Sequence, residues 1–112
     1  MLKVKKTKRL GRGVFTTAPI KKGQMVELSP LVVIEKARDS KAIENTLLGR
    51  YTYAYKKTSA IALGLGSLFN HNTSPNLDWK VLEKSCEVIF WADRDISAGE
   101  QLFINYGYNP AK

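Results

Sequence analysis

The sequence predicts a mostly β protein with one short helix. Glycine and proline residues interrupt a series of short apolar runs, an arrangement typical of strands joined by turns. One longer stretch instead carries apolar residues at helical spacing. A chain of 112 residues is long enough for a single hydrophobic core, so we expect one domain over residues 1–112.

Five segments have the composition of strands, at residues 13–16, 25–28, 31–35, 87–91 and 101–104. The helix is predicted over residues 40–55, where Ser40 is suited to cap the N-terminus and Ile43 and Leu47 share one face. Gly49 and the aromatic residues after it leave the C-terminal end of this helix open.

Two short segments, residues 20–24 and 96–100, repeat one pattern: an apolar residue, two further residues, a glycine and a polar residue. Because glycine adopts positive φ at little cost, each segment is predicted to reverse the chain between strands. We assign Glu100 to the second turn rather than to chemistry.

Cysteine and histidine are scarce in this chain. One cysteine, Cys86, excludes an internal disulfide, and a single histidine leaves too few soft ligands for a structural zinc site. No apolar run approaches the length of a membrane span, and no signal-peptide core follows the basic N-terminus. We therefore expect an intracellular protein without a metal or a membrane partner; a nuclear or chromatin setting and a cytoplasmic one remain alternatives.

The formal net charge of +8 is unevenly distributed. Six cations crowd the first dozen residues: Lys3, Lys5, Lys6, Lys8, Arg9 and Arg12. One interpretation of this basic arm, residues 1–10, is that it neutralises the phosphates of a nucleic acid; the other, favoured for a lone charge cluster, is a solvated and partly frayed terminus. The chain has no helix-turn-helix or zinc-finger pattern, which argues against a dedicated DNA reader.

A polar segment follows the small, apolar run at residues 60–68. It reads Phe69, Asn70, His71, Asn72, Thr73, Ser74, Pro75, Asn76. Amide and imidazole groups in a buried turn need hydrogen-bonding partners, so this segment is either a structural turn or part of a binding site. Hydrolysis with His71 as the base would require a nucleophile such as Ser67 within a recognisable motif, and no such motif is present.

Two Gly-x-Gly sequences occur, Gly11-Arg12-Gly13 and Gly64-Leu65-Gly66. Either one alone is more often an ordinary turn or a tight packing point than a ligand site. No Lys-Ser/Thr pair follows residues 64–66, so a phosphate-binding loop is not supported.

Three elements stand in a fixed order along the chain. They are the segment Gly11-Arg12-Gly13-Val14-Phe15, the segment from Phe69 to Asn76, and the segment Ile104-Asn105-Tyr106-Gly107-Tyr108. In this order, over residues 11–108, they resemble the SET domain, the protein-lysine methyltransferase module. The resemblance implies a β-clip of several small curved sheets with a C-terminal pseudoknot, in which the last segment passes through a loop close to Asn70 and His71.

The resemblance also implies roles for individual residues. Tyr106 takes the position of the catalytic tyrosine, where it also meets the cofactor, S-adenosyl-L-methionine. The other residues implied to contact the cofactor are Arg12, Gly13, Tyr51, Asn70 and His71. The residues implied to line the substrate channel are Trp79, Tyr108 and Tyr53. For these aromatic residues the alternative interpretation is a place in the core, and Trp79 stands where phenylalanine or tyrosine is more usual.

The expected activity is S-adenosylmethionine-dependent methylation of a protein lysine, on a flexible basic tail such as that of a histone. Lysine has an unperturbed pKa of about 10.4, so its amine must be desolvated before it can attack as the neutral form, and an aromatic channel achieves this without a metal. The alternative is a catalytically silent SET-like module that binds chromatin or nucleic acid through its basic surface. The chain carries no cysteine-rich segment for a zinc-bound lid, so the C-terminal tail or a second subunit is expected to complete the lysine channel. The resemblance to minimal SET proteins, which can dimerise, makes a homodimer one of these two alternatives.

Overall fold

The computed structural model describes residues 1–35, 41 and 51–107. Nine strands and one 3-10 turn lie entirely within these residues. The strands are β1 (Leu2–Lys6), β2 (Arg12–Thr16), β3 (Met25–Ile34), β4 (Thr52–Tyr55), β5 (Thr58–Ala62), β6 (Asn70–His71), β7 (Leu77–Leu82), β8 (Glu87–Ala92) and β9 (Gln101–Ile104), and the 3-10 turn is Gly64–Ser67. The mostly β prediction is confirmed.

The strands form two sheets. One has four strands in the order β1-β2-β9-β6, and the other has five strands in the order β4-β5-β3-β8-β7. All pairings are antiparallel except that of β6 with β9, which is parallel. The core between these sheets includes Phe69 and Phe90, whose rings lie 4.8 Å apart, and Val14 and Leu102, which are fully buried.

The N-terminal residues are an ordered strand, so the prediction of a partly frayed terminus is wrong. Strand β1 pairs along its whole length with β2, from Leu2 opposite Thr16 to Lys6 opposite Arg12. The loop between them is closed by Thr7, whose N–H donates to the carbonyl of Gly11 over 2.6 Å. Pairing satisfies the backbone groups that a frayed arm would leave to water.

Strand β3 runs through Pro30, where the sequence predicted two separate strands. Its first part, to Pro30 opposite Glu87, pairs with β8, and its second part, from Leu31 opposite Ala62, pairs with β5. Proline lacks an N–H and is tolerated where no ladder bond is required. The exchange of partners at Pro30 is such a position, so one strand spans both sheet halves.

The predicted helix is wrong at its C-terminal end. Residues 36–40 and 42–50 lie outside the described residues, and Lys41 between them is helical. Residues 52–55 form β4, which turns at Lys56 (φ 50°) into β5. Tyr53 and Tyr55 alternate with less buried neighbours, which is the period of a strand and not of a helix. Strands β5, β6 and β7 were also missed.

The two glycine-containing turns are confirmed, with φ of 85° at Gly23 and 91° at Gly99. They also contact each other symmetrically: Ile20 and Ile96 exchange both backbone hydrogen bonds, at 2.9 and 2.8 Å. Glu100 serves its turn as predicted, since its carboxylate accepts the N–H of Ser97. Within the described ranges, no helix has the length and hydropathy that crossing a bilayer requires.

Candidate functional site

The parallel pair of β6 with β9 brings distant parts of the sequence together. Asn70 lies opposite Phe103 and His71 opposite Ile104, and the N–H of Asn72 continues the pairing by donating to the carbonyl of Ile104 over 2.9 Å. The chain leaves β9 directly beside His71, as the predicted passage of the C-terminal segment requires. The polar turn and the last tyrosine of the described chain thereby meet.

Asn76 holds this arrangement from the other side. Its side chain is 2 % exposed, donates from Nδ2 to the carbonyl of Gln101 over 2.8 Å and accepts from the N–H of Phe103 over 2.8 Å. A buried amide that makes both bonds to one strand fixes the position of that strand. Asn76 therefore positions β9 against β6.

His71 fixes the backbone at Tyr106. Its Nδ1 accepts the N–H of Tyr106 over 3.0 Å, and the two rings lie 5.0 Å apart. An accepting Nδ1 assigns the proton of a neutral imidazole to Nε2. Nε2 is buried, and no acceptor lies within reach of it among the described residues. Since an unpaired buried donor is unfavourable, the Nε2–H of His71 is a candidate donor to a ligand.

Asn70 contacts two other predicted cofactor residues, Arg12 and Gly13. Its Nδ2 donates to the carbonyl of Arg12 over 3.1 Å and to Oε1 of Gln101 over 2.9 Å. Gly13 lies against the same groups: a Cβ there would stand 2.4 Å from Oε1 of Gln101 and 3.0 Å from Nδ2 of Asn70. Glycine is required at this position by close approach, while Gly11 is required by its φ of 70°.

A cavity of about 330 Å³ opens on the other side of Tyr106. Four of the predicted site residues line it, together with parts of β4 and of the 3-10 turn. These four are Tyr51, Tyr53, Trp79 and Tyr106. Tyr51 lies at the exposed rim, with 38 % of its surface accessible. Arg12, Gly13, Asn70 and His71 do not line the cavity, and Tyr108 lies outside the described residues.

The aromatic walls of the cavity are fixed by hydrogen bonds to backbone carbonyls. The hydroxyl of Tyr106 donates to Phe69 over 2.8 Å, and that of Tyr53 donates to Gly66 over 2.6 Å. The indole Nε1 of Trp79 donates to Asn105 over 2.8 Å.

Tyr53 and Trp79 also pack edge to face, with ring centroids 4.9 Å apart. The orientation of each ring is therefore set before any ligand enters.

Burial raises the pKa of the Tyr53 phenol far above its usual value, and the neighbouring Tyr106 raises it further. A phenol in an apolar wall ionises less readily because its anion would lose hydration. Both Tyr53 and Tyr106 commit their hydroxyl protons to carbonyls. Towards a ligand, either oxygen can therefore act only as a hydrogen-bond acceptor.

Sequence reasoning missed a pair of polar residues that support the site, Glu27 and Ser29. Oε2 of Glu27 accepts the N–H of Leu65 and the hydroxyl of Ser29, both at 2.9 Å, and Oγ of Ser29 accepts the N–H of Gly66 at 3.1 Å. These bonds hold the 3-10 turn that forms one wall of the cavity. Two polar residues inside the apolar strand β3 were the signal that could have revealed them.

Comparison with known proteins places the chain in a family. The model of the SET domain matches residues 11–107, and a domain built from small sheets around a parallel pair at Asn70 and His71 agrees with that match. The chain belongs to the SET domain family.

Two similar proteins and one similar solved structure are lysine or histone methyltransferases by name. The chain is 36% identical over 107 residues to a histone-lysine N-methyltransferase, H3 lysine-37 specific, of Schizosaccharomyces pombe, covering 95% of this chain and 73% of that protein. It is 34% identical to the N-lysine methyltransferase KMT5A-A of Danio rerio, covering 87% of this chain and 32% of that protein. A crystal structure of a candidate histone methyltransferase of Plasmodium falciparum superposes with a TM-score of 0.75 at 27% identity, covering 97% of this chain and 99% of that one.

Proposed function

We propose that this protein is an S-adenosylmethionine-dependent protein-lysine N-methyltransferase that acts on a basic, flexible protein tail of the histone type. Membership of the SET domain family and relatives named as lysine methyltransferases support the reaction class. The observation that carries the proposal is the aromatic cavity at Tyr106. Its chemistry suits a lysine side chain along its whole length.

Apolar ring surfaces of Tyr53 and Trp79 match the methylene stem of lysine, and the phenol oxygens can only accept hydrogen bonds from its amine. Desolvation in such a channel disfavours the ammonium form and lowers the pKa of the lysine from about 10.4. Because burial keeps the phenol of Tyr53 protonated, no phenolate is present there to hold the lysine as a cation. The cavity therefore favours the neutral, nucleophilic amine.

Tyr106 is the residue at which the cavity and the polar half of the site meet. Its N–H is held by His71 and its hydroxyl by the carbonyl of Phe69. With both ends fixed, the phenol oxygen can orient an incoming amine at little cost in conformational entropy. We assign Tyr106 as the catalytic residue, which acts by orienting the amine rather than by forming a covalent bond.

The residues of the polar half fit a cofactor that carries an adenosyl group and an amino-acid group. The buried Nε2–H of His71 requires an acceptor, and Gly13 allows the amides of Asn70 and Gln101 to pack closely against the backbone beside it. The residues that would hold the cofactor are Arg12, Gly13, Asn70 and His71, with Tyr51 and Tyr106 at the cavity side. When bound, S-adenosylmethionine supplies an electrophilic methyl group on sulfur.

The test is methyl transfer from labelled S-adenosylmethionine to core histones, followed by mass spectrometry to locate the methyl group. Tyr106→Phe removes the phenol oxygen and leaves the ring. We expect its rate to fall by about 10²-fold or more, the range typical of a lost catalytic group. Tyr55→Phe is the matched control, because the Tyr55 hydroxyl also donates to a carbonyl, that of Glu83 at 3.1 Å, but does not line the cavity.

Each outcome has a definite meaning. Lysine labelling that is lost in Tyr106→Phe and retained in Tyr55→Phe supports both the reaction and the site. Equal rates in the native chain and in Tyr106→Phe would refute the assignment of Tyr106. Failure of the native chain to label any lysine of the histones or of a cell extract would refute the proposed activity.

A further inference from the structure

The net positive charge of this protein arises from one part of the chain. The first 26 residues contain eight lysine and arginine residues and no acidic residue, whereas the remaining 86 residues carry ten of each sign. The whole formal net charge of +8 therefore arises before Glu27. Segregated charge of this kind creates a local positive potential that the rest of the molecule does not cancel.

Six of these eight cations lie on the hairpin of β1 and β2, residues 2–16, which we call the basic hairpin. Their side chains are all exposed, and none forms an ion pair within the described parts of the chain. They are Lys3, Lys5, Lys6, Lys8, Arg9 and Arg12. The positions are ordered, because β1 pairs with β2 throughout and Thr7 closes the loop through Oγ1, which donates to Gly11 over 2.8 Å.

The cations occupy both faces and the tip of the basic hairpin. Lys3 and Lys5 project from one face, since they lie opposite Phe15 and Gly13, and Lys6 projects from the other face, opposite Arg12. Lysines two positions apart on a strand are separated by about 7 Å. The arrangement forms a short row of charge along a sheet edge, because β2 is the one neighbour of β1 among the strands that the structure describes.

Protection of the sheet edge does not account for all of this charge. Lysines on an edge strand prevent unwanted pairing with other chains, and this would explain Lys3, Lys5 and Lys6. It does not explain Arg12, which lies on the inner strand β2, or the two cations in the loop. A ligand that carries regularly spaced negative charge would explain the whole set.

We propose that the basic hairpin binds duplex DNA through the phosphate backbone, without reading its sequence. A single-stranded nucleic acid needs exposed rings on which its bases stack, but Phe15 is only partly exposed and Nζ of Lys5 lies 4.8 Å above its ring. The hairpin carries no asparagine or glutamine for adenine edges, and its lysines and arginines are spread over both faces and the tip, a distribution suited to phosphates rather than to the bases of one groove. Phosphate contacts are what such a surface can supply.

The position of the hairpin gives this contact a role. In the sheet order β1-β2-β9-β6, β1 is three strands from the strand that carries Asn70 and His71. Three strand spacings amount to about 14 Å. DNA on the hairpin would bring lysine tails of DNA-bound proteins close to the cavity. This consequence rests on the proposed function, whereas the DNA contact itself does not.

The test is fluorescence anisotropy with the full chain and a short labelled DNA duplex of mixed sequence, between about 50 and 200 mM salt. No cofactor and no lysine substrate are present, so its failure is distinguishable from failure of the proposed activity. Each lost phosphate contact should reduce the slope of log affinity against log salt by about 0.9. Lys3→Gln/Lys5→Gln is therefore expected to reduce the slope by about 2 and to retain the native melting temperature.

Lys21→Gln/Lys22→Gln is the matched control, because it removes the same charge from the turn that precedes β3. Its slope is expected to remain that of the native chain. Equal losses in the two double variants would overturn the proposal, since they would show a response to net charge rather than to the hairpin. Absence of binding at the lowest salt concentration would overturn it as well, and equal affinity for a single strand of the same length would refute the assignment to duplex DNA.

Discussion

The two halves of the site differ in how completely the protein satisfies their polar groups. On the cavity side, the hydroxyls of Tyr53 and Tyr106 and the indole of Trp79 each donate to a backbone carbonyl. On the polar side, the buried Nε2 of His71 has no acceptor among the described residues, and Asn70 is held only by neutral neighbours. These aromatic donors of the cavity are therefore paired within the protein, whereas the polar half keeps one buried donor that a bound ligand could pair.

This difference separates two kinds of contribution. Ring positions that are fixed in advance lower the cost of orienting a substrate and should appear in the rate of transfer. Groups that await a partner should appear in cofactor affinity. Substitutions in the two halves should therefore affect different measured quantities.

The largest effect is expected for Asn70→Ala, which breaks the polar half. The variant loses the side-chain amide that joins Arg12 and Gln101. Hydrogen bonds to charged groups contribute about 1.5–3 kcal/mol, so we expect cofactor affinity to fall by about 10- to 100-fold. Isothermal titration with S-adenosylmethionine measures it. An unchanged dissociation constant would remove Asn70 from the cofactor site.

A smaller effect is expected for Gly13→Ala, which overfills the same half. The new Cβ would stand 2.4 Å from Oε1 of Gln101, so the free energy of unfolding should fall by about 1–2 kcal/mol. Urea denaturation measures the change. In the background of Gln101→Ala the cost of Gly13→Ala should largely disappear, because the clashing side chain is gone. The same cost in both backgrounds would contradict the contact.

Trp79→Phe tests the cavity half and should lower the rate of methyl transfer rather than the cofactor affinity. It removes the indole N–H that holds Asn105 and leaves an aromatic ring in the wall. A lost neutral hydrogen bond of about 1 kcal/mol predicts a rate of methyl transfer lower by about fivefold, with the cofactor dissociation constant unchanged. Steady-state kinetics measures the rate of methyl transfer, and isothermal titration with S-adenosylmethionine measures the cofactor dissociation constant. A loss of cofactor affinity instead would show that the halves are not independent.

The smallest effect is expected on the stability of the folded protein at alkaline pH. The pKa of Tyr53 is raised in the folded protein, so the unfolded chain releases this proton first as the pH rises. The resulting stability is present below the usual tyrosine pKa of about 10 and is lost above it. Urea denaturation at neutral and alkaline pH should therefore show a smaller alkaline loss in Tyr53→Phe than in the native chain. Equal losses would exclude this phenol as the source.

The sequence predicts the parts of this molecule that depend on local chemistry. The turns at Gly23 and Gly99 follow from glycine spacing, and the polar segment at Asn70 and His71 follows from its composition. The prediction failed at β4, which was assigned to a helix. Tyr53 and Tyr55 show the period of a strand, but over too few residues to outweigh the helical spacing before them.

Long-range partners explain the remaining misses. The support of the 3-10 turn by Glu27 and Ser29 depends on contacts between residues far apart in the sequence. Strand β1 needed β2 as a partner before its lysine-rich sequence could be recognised as a strand. No local pattern encodes such pairings, because they form only when the chain folds back on itself.

The two-residue parallel pair of β6 and β9 determines when the site can form during folding. Asn70 and Phe103 are distant in sequence, and parallel pairing across so long a loop is slow because closure entropy must be met first. The hairpins of β1 with β2 and of β7 with β8 need only short loops. We therefore expect these two hairpins to form early, and the amide of Tyr106 to acquire its protection from hydrogen exchange only after β9 has paired with β6.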